Sequence, residues 1–517
     1  MNTEPQKCVQ MKMSQHRYFI VFCFCLANLL LRLLADYYSG FQGDELLHIA
    51  TGNHPAFGYM EFPPVIGWLA WIQNQLHSSS VFVHHIFSHI ASTLIFFITA
   101  EIVHLLGGKN RAIAIVLICF FISPGFGRSF QLFQPAVFVQ LFWLLAFYQL
   151  LRFCLYLENR YLYYLAITCA FGFLTKYDIA FFIVGLSGLF FFKVTRQKLL
   201  TATLLKAILI FLLLITPNLL WQYAHDFPTR QHFAELYRSQ LAKIEFSEQL
   251  AKLVVALNPF TCIIYLGGCY FMFKTRESLY RPLALSIVIS ILVLLISKGK
   301  FYYFFPMMIT LIAFGSVWFE QLTLKRMKWA FYTLWILFIV SGAVLIPYGL
   351  SIMPLKSFIR FARVKQKNGI YEIKNQEYYS KETWKDVMAA LQKTVKSLPV
   401  QEQKTCLIWG KHYRQAGAVS LFGKEWNLPQ AFSYHGSFWL WAPTGQMPTT
   451  VVAFNSIESG KAFWMQYFNS VTLATTVVNR YSKDLDDGQH ILTLFICREP
   501  KQNFNELKEL FRNRVFE

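Results

Sequence analysis

The stretch Asp36–Pro64, DYYSGFQGDELLHIATGNHPAFGYMEFPP, decides how the rest of this chain is read. It follows a membrane-length apolar run, YFIVFCFCLANLLLRLL at 18–34, and carries Asp44, Glu45 and Glu61 among aromatics and glycines, just before Pro63-Pro64. Charge pressed against a bilayer is costly to desolvate. Carboxylates kept there are expected to bind something or to move a proton.

Outward from this loop, composition sets the class. The 517 residues are 55% hydrophobic, 18% aromatic and 15% charged, with a mean hydropathy of +0.38. That excludes an ordinary soluble enzyme and indicates a polytopic α-helical membrane protein. About 20 apolar residues make a spanning helix. Eleven candidate segments follow: 18–36, 81–106, 112–123, 137–153, 161–175, 178–192, 203–222, 251–273, 282–297, 302–319 and 329–349. The basic N-terminus with no small-residue cleavage site reads as leading into an uncleaved first span. Phe62–Leu76 is amphipathic and too short to cross, which fits a helix lying along the interface.

The net charge of +20 could suggest nucleic acid, but no aromatic-plus-basic RNA-reading motif is present, and the basic residues cluster between apolar runs. GGKNR at 107–111, 152–160, KVTRQK at 193–198, KTRESLYR at 274–281 and KRMK at 325–328 alternate with loops holding Asp36, Asp44, Glu45, Glu61, Asp178 and Asp226. By the positive-inside rule the N-terminus is cytoplasmic, and the region beyond the last span is extracytoplasmic.

Residues 1–350 therefore form the membrane domain, with 37–80 as its first outer loop, and 351–517 a C-terminal α/β domain. In the latter, strands are expected at 405–409, 449–454, 471–478 and 490–497, with helices at 412–422, from Ser459 and at 504–512. Of the 10 cysteines most lie inside apolar runs; Cys406 and Cys497 fall in the polar C-terminal region, and sequence leaves their pairing open.

Asp44-Glu45 can deprotonate a hydroxyl or hold a divalent metal against a phosphate. Pro63 could aim Glu61 at the same cavity, although an acid that merely starts an interfacial helix explains it equally well. His225, Asp226, Arg230 and His232 lie in the polar 223–250 loop. Taken alone, that is better read as a wet surface than as a site. His85 and His89 have the i,i+4 spacing of a helical metal pair, yet histidines are ordinary near an interface, and that plainer reading is preferred. Lys176, Lys298 and Lys300 are cations on the side the rule leaves poor in them. A lipid phosphate accounts for this, with snorkelling as the competitor for Lys298.

Together GDE at 43–45, GYMEFPPVIGWL at 58–69, FGFLTKYDIA at 171–180, PNLLWQYAHDFP at 217–228, GKFYYFFP at 299–306 and FWLWAP at 438–443 resemble the GT-C membrane glycosyltransferases. The likeness is to the bacterial branch grouped with dolichyl-phosphate-mannose protein mannosyltransferases and lipid A aminoarabinose transferases. It implies a GT-C-like fold of about 11 spans. It also implies inverting transfer of a sugar from a polyprenyl-phosphate donor to a lipid, glycan or protein acceptor on the outer face of the inner membrane. By position, Asp44 resembles the catalytic acid and Glu45 its partner. Glu61 and His232 resemble residues that hold a metal, so a divalent ion is left open as cofactor, and no nucleotide is needed. Lys300, Tyr302 and Tyr303 resemble a phosphate-binding element, with Lys176 beside them. Gln134 and Phe62 depart from the pattern the resemblance implies, in which many relatives carry an acid at the first position and often a His or Lys at the second. Two rivals stand beside transfer: a transporter or flippase of a lipid-linked sugar, and a non-catalytic scaffold or sensor.

Overall fold

In lipid every backbone polar group must find its partner within its own segment, so long apolar runs become helices. The computed structural model describes residues 14–274, 280–325, 327–456, 460–484 and 490–516. The basic N-terminal stretch before residue 14 and most of the expected inside loop at 275–279 lie outside the described residues.

The chain opens with α1 (Gln15–Tyr38), α2 (Gly43–Thr51), α3 (Val65–Asn74), α4 (Val81–Leu105), α5 (Asn110–Phe121), α6 (Pro124–Gln131) and α7 (Pro135–Tyr156). Each of the eleven expected segments is helical over most of its length. Among the described residues, six helices are long and apolar enough to cross a membrane, or nine if each of three bent pairs is one span. The breaks have local causes. Ser123 caps α6 through its hydroxyl and Pro124 occupies the first helical turn, which turns α6 by 73° from α5. Asn258, at φ 69°, and Pro259 bend the helix of 246–256 by 96° from that of 259–274.

Helices α1, Ala202–Ala224 and Lys328–Gly349 leave large apolar side chains exposed, among them Phe19, Phe22, Leu205, Leu213 and Ile336. On a membrane protein those faces belong to lipid. Helices α7 and Phe305–Lys325 are mostly buried at the centre. There a Cβ added to Gly315 would lie 1.8 Å from the Ile264 carbonyl oxygen, so helices 262–274 and 305–325 meet backbone to backbone.

The short strands β1 (Gln366–Lys367), β2 (Ile370–Glu372) and β7 (Tyr481–Ser482) form one small sheet. The main sheet has the order β4-β3-β5-β8-β6, with β3 at Leu407–Gly410, β4 at Ala431–Phe432, β5 at Thr450–Ser456, β6 at Phe468–Val478 and β8 at Ile491–Pro500. β3 runs parallel to β4 and β5, and β8 is antiparallel to β5 and β6. Cys406 and Cys497 are buried free thiols. The expected strands and helices are present within a few residues; β4 and the amphipathic helix Ser380–Lys396 were not foreseen. Helix Tyr413–Phe422, which follows β3, rests on α2, where a Cβ on Gly417 would approach the Leu46 carbonyl oxygen to 2.8 Å. This seat brings the C-terminal sheet over the first loop.

Candidate active site

Helix α2 is started by a reciprocal cap. The Gln42 side chain accepts from Asp44 N at 2.9 Å, and Glu45 Oε2 accepts from Gln42 N at 2.7 Å. Two acids in the first turn also suit the positive end of the helix dipole. Neighbouring helical positions point about 100° apart, so the two acids diverge. Asp44 faces a cavity of ≈670 Å³, whereas Glu45 is fully buried behind it. Of the two acids, therefore, only Asp44 reaches the cavity.

The cavity gathers Asp44, Glu61, Gln134, Lys176, His232, Lys300, Tyr302 and Tyr303, which are separated by up to 259 residues in sequence (303 minus 44). Lys176 Nζ pairs with Asp178 Oδ2 at 2.8 Å and stands 4.2 Å over the Tyr303 ring. Burial works to lower the Lys176 pKa, but Asp178 and Tyr303 more than offset it and leave it raised. Lys300 donates to Gln240 Oε1 at 2.6 Å, and burial followed by repulsion from Lys176 lowers its pKa. Two ammonium groups with adjoining phenols make this wall receptive to an anion.

Gln134 donates from Nε2 to Gln42 Oε1 at 2.8 Å and so supports the cap of α2. Phe62 is buried edge-on against His48, at 4.9 Å between ring centroids. The His48 pKa is lowered by burial, and its Nδ1 lies 3.1 Å from the Phe133 carbonyl. His225 and Arg230 lie elsewhere. They line a separate groove of ≈630 Å³, where the His225 ring stacks on Trp221.

The far wall comes from the C-terminal sheet. His412 and His435 follow the carboxyl ends of the parallel strands β3 and β4, and their rings stack 4.1 Å apart. The Tyr413 hydroxyl donates to Asp44 Oδ1 at 2.7 Å. Ser437 holds Glu61 twice, from its backbone N at 2.8 Å and from its hydroxyl. Gly436, at φ 59°, makes this approach possible, because a Cβ there would come within 1.9 Å of Glu61 Oε1. Burial pushes the Glu61 carboxyl up to about 7 against the pull of the Ser437 bonds. Burial likewise lowers His232 to about 4, and burial with nearby cations lowers His435 to about 3. Sequence reasoning missed His412, Tyr413, His435 and Ser437. The available signal was position, since ligand-facing residues gather beyond the carboxyl ends of parallel strands.

As metal donors Glu61 and His232 form an incomplete set. Both Glu61 oxygens accept from Ser437, and among the described residues no third Asp, Glu, His or Cys atom gathers compactly with these two.

Residues 61–221 match the family model described as dolichyl-phosphate-mannose-protein mannosyltransferase. The crystal structure of apo ArnT from Cupriavidus metallidurans aligns with 93% of this chain and 98% of its own, with TM-score 0.58 at 11% identity. The chain has the fold of the GT-C membrane glycosyltransferases. ArnT from the same organism bound to undecaprenyl phosphate aligns with 92% of this chain and 97% of its own, at TM-score 0.52 and 12% identity. Comparison with curated protein sequences finds no match. The GT-C likeness thus spans the C-terminal sheet as well as the helices, well beyond the segment that the family model matches.

Proposed function

We propose that this protein transfers a sugar from a polyprenyl-phosphate donor to a hydroxyl or amine of a lipid, glycan or protein acceptor. One observation carries this reading: a single cavity holds the Asp44 carboxylate together with a wall of Lys176, Lys300, Tyr302 and Tyr303. The acceptor atom attacks C1 of the sugar as the bond from C1 to the phosphate oxygen breaks, and the configuration at C1 inverts. Asp44 takes the acceptor's proton, and the lysines and phenols receive the charge that develops on the departing lipid phosphate. Tyr413, bonded to Asp44, orients that carboxylate. No nucleotide takes part. We draw no step through a metal, because the Glu61 and His232 donors are incomplete.

The same reading puts the protein in the bacterial inner membrane with the cavity outside. Asp44, Glu61, Lys176 and Lys300 share one cavity with His412 and His435, which supports a topology with the first loop and the C-terminal sheet on one face of the membrane. Alkaline phosphatase fused after Arg360 should be active, and green fluorescent protein there should be dark. For the reaction, purified protein is incubated with radiolabelled polyprenyl-phosphate sugars and envelope extract. Label covalently attached to an acceptor is the expected outcome. Label that crosses a vesicle bilayer still joined to its lipid would replace transfer with transport.

A further inference from the structure

Beneath the cavity lies a buried chain of charged and polar groups that the chemistry above does not use. Glu45 Oε1 accepts from Phe133 N at 2.7 Å and lies 2.8 Å from His85 Nε2, while its other oxygen caps α2. His85 Nδ1 is 2.7 Å from Asp36 Oδ1, and His89 Nε2 is 2.7 Å from Asp36 Oδ2. Gln131 also donates to Asp36. Deeper in α1, Arg32 donates to Asn28 Oδ1 at 2.9 Å and to the Gly127 carbonyl at 3.0 Å. Asn28, Arg32, Asp36, Glu45 and His85 are each at most 2% exposed.

Charges inside spans are expensive unless each is paired. With His85 donating from both ring nitrogens, Arg32, Asp36, His85 and Glu45 are electrically neutral as a group. The chain joins α1, α4 and α6 to the first turn of α2, the turn that presents Asp44. Asp36, His85 and His89 also bring metal-type atoms within 4.8 Å of one another. Their 2.7 Å spacings, however, are those of imidazole N–H groups donating to a carboxylate, which already accounts for the facing atoms.

We propose that Asp36, His85 and Glu45 are positioning residues: an ion-pair ladder between the first spans and α2 that fixes the direction of Asp44. The Asp44-Glu45 dipeptide is then divided in function, one acid for the acceptor and its neighbour for the scaffold. This rests on Asp44 acting as the base, and the two ideas are separated by using two readouts. In the transfer assay, Glu45→Gln and His85→Gln should lower turnover about 10- to 100-fold with donor KM within about twofold, the size of loss expected for a misplaced catalytic group. Glu45→Asp should recover part of it.

The second readout needs no turnover. Asp44→Cys and, as control on another part of the cavity lining, Ser239→Cys are labelled with a charged maleimide and followed by peptide mass spectrometry. Adding Glu45→Gln or His85→Gln should change the labelling rate at 44 severalfold and leave that at 239 unchanged. Equal changes at both positions, or none at 44, would overturn the proposal. So would stoichiometric zinc or manganese in the purified protein that is lost in His89→Ala. An inactive wild type with the expected labelling pattern would sink the transfer reading alone.

Discussion

The two sides of the cavity are built in opposite ways. The membrane side is made of acids and cations that stand out against apolar sequence: Asp44 and Glu61 in the first loop, Lys176 and Lys300 at helix ends. The C-terminal side is made of His412, Tyr413, His435 and Ser437, ordinary residues in an ordinary polar segment. Yet the second side holds the acids of the first, through Tyr413 on Asp44 and Ser437 on Glu61. A charge in a greasy chain announces itself, whereas a hydroxyl that orients the charge becomes visible only in three dimensions.

The largest effect should come from the membrane side. Asp44→Asn is expected to reduce transfer about 10²- to 10⁴-fold while the protein still inserts and folds, as loss of a general base does. Near-normal turnover would remove Asp44 from the chemistry and leave Glu61 as the cavity's other first-loop acid. Next is Lys300→Ala, which should cost roughly 10²-fold in donor kcat/KM, on the scale of removing one donor to a developing anion. Acceptor KM should stay unchanged, and Lys300→Arg should keep the charge while altering its geometry. Donor titrations that overlay the wild type would move attention to Lys176.

The C-terminal side is tested by Tyr413→Phe. Hydrogen bonds to charged groups are worth about 1.5–3 kcal/mol. Removing this one should lower turnover about tenfold and leave donor affinity intact. Wild-type kinetics would reduce the C-terminal side to a cover. Glu61 supplies a smaller, pH-dependent effect. Its carboxyl titrates near 4.5 when unfolded and is raised to about 7 in the fold. Between these values the unfolded chain gives up a proton that the folded one keeps, so stability from this group is fully present below about 4.5 and is lost as pH rises through 7. Thermal unfolding in detergent at pH 5 and pH 7.5 should show that drop in the wild type and a smaller one in Glu61→Gln. The smallest effect should be that of Arg230→Ala and His225→Ala, in the separate groove. Each should change transfer less than about twofold, as exposed substitutions away from a site usually do. A larger loss would extend the site beyond the cavity.

Sequence was enough for the helical membrane body, because a long apolar run has no other way to satisfy its backbone in lipid. It also determined the strand-and-helix order after residue 400, from the alternation of TCLIW, TTVVAF and HILTLFIC with helical stretches, and it marked Asp44, Glu61, Lys176 and Lys300 as residues out of place. Tertiary structure alone decided which of them act together. It turned Glu45 inward onto His85, sent His225 and Arg230 to another groove, and broke the expected span 251–273 at Asn258-Pro259. It also carried His412 and Ser437 some 370 residues along the chain to meet the first loop. The physical reason is range. Hydropathy and charge are properties of a residue and its neighbours in sequence, whereas the direction of a side chain and its partner across a cavity depend on how distant helices and strands pack.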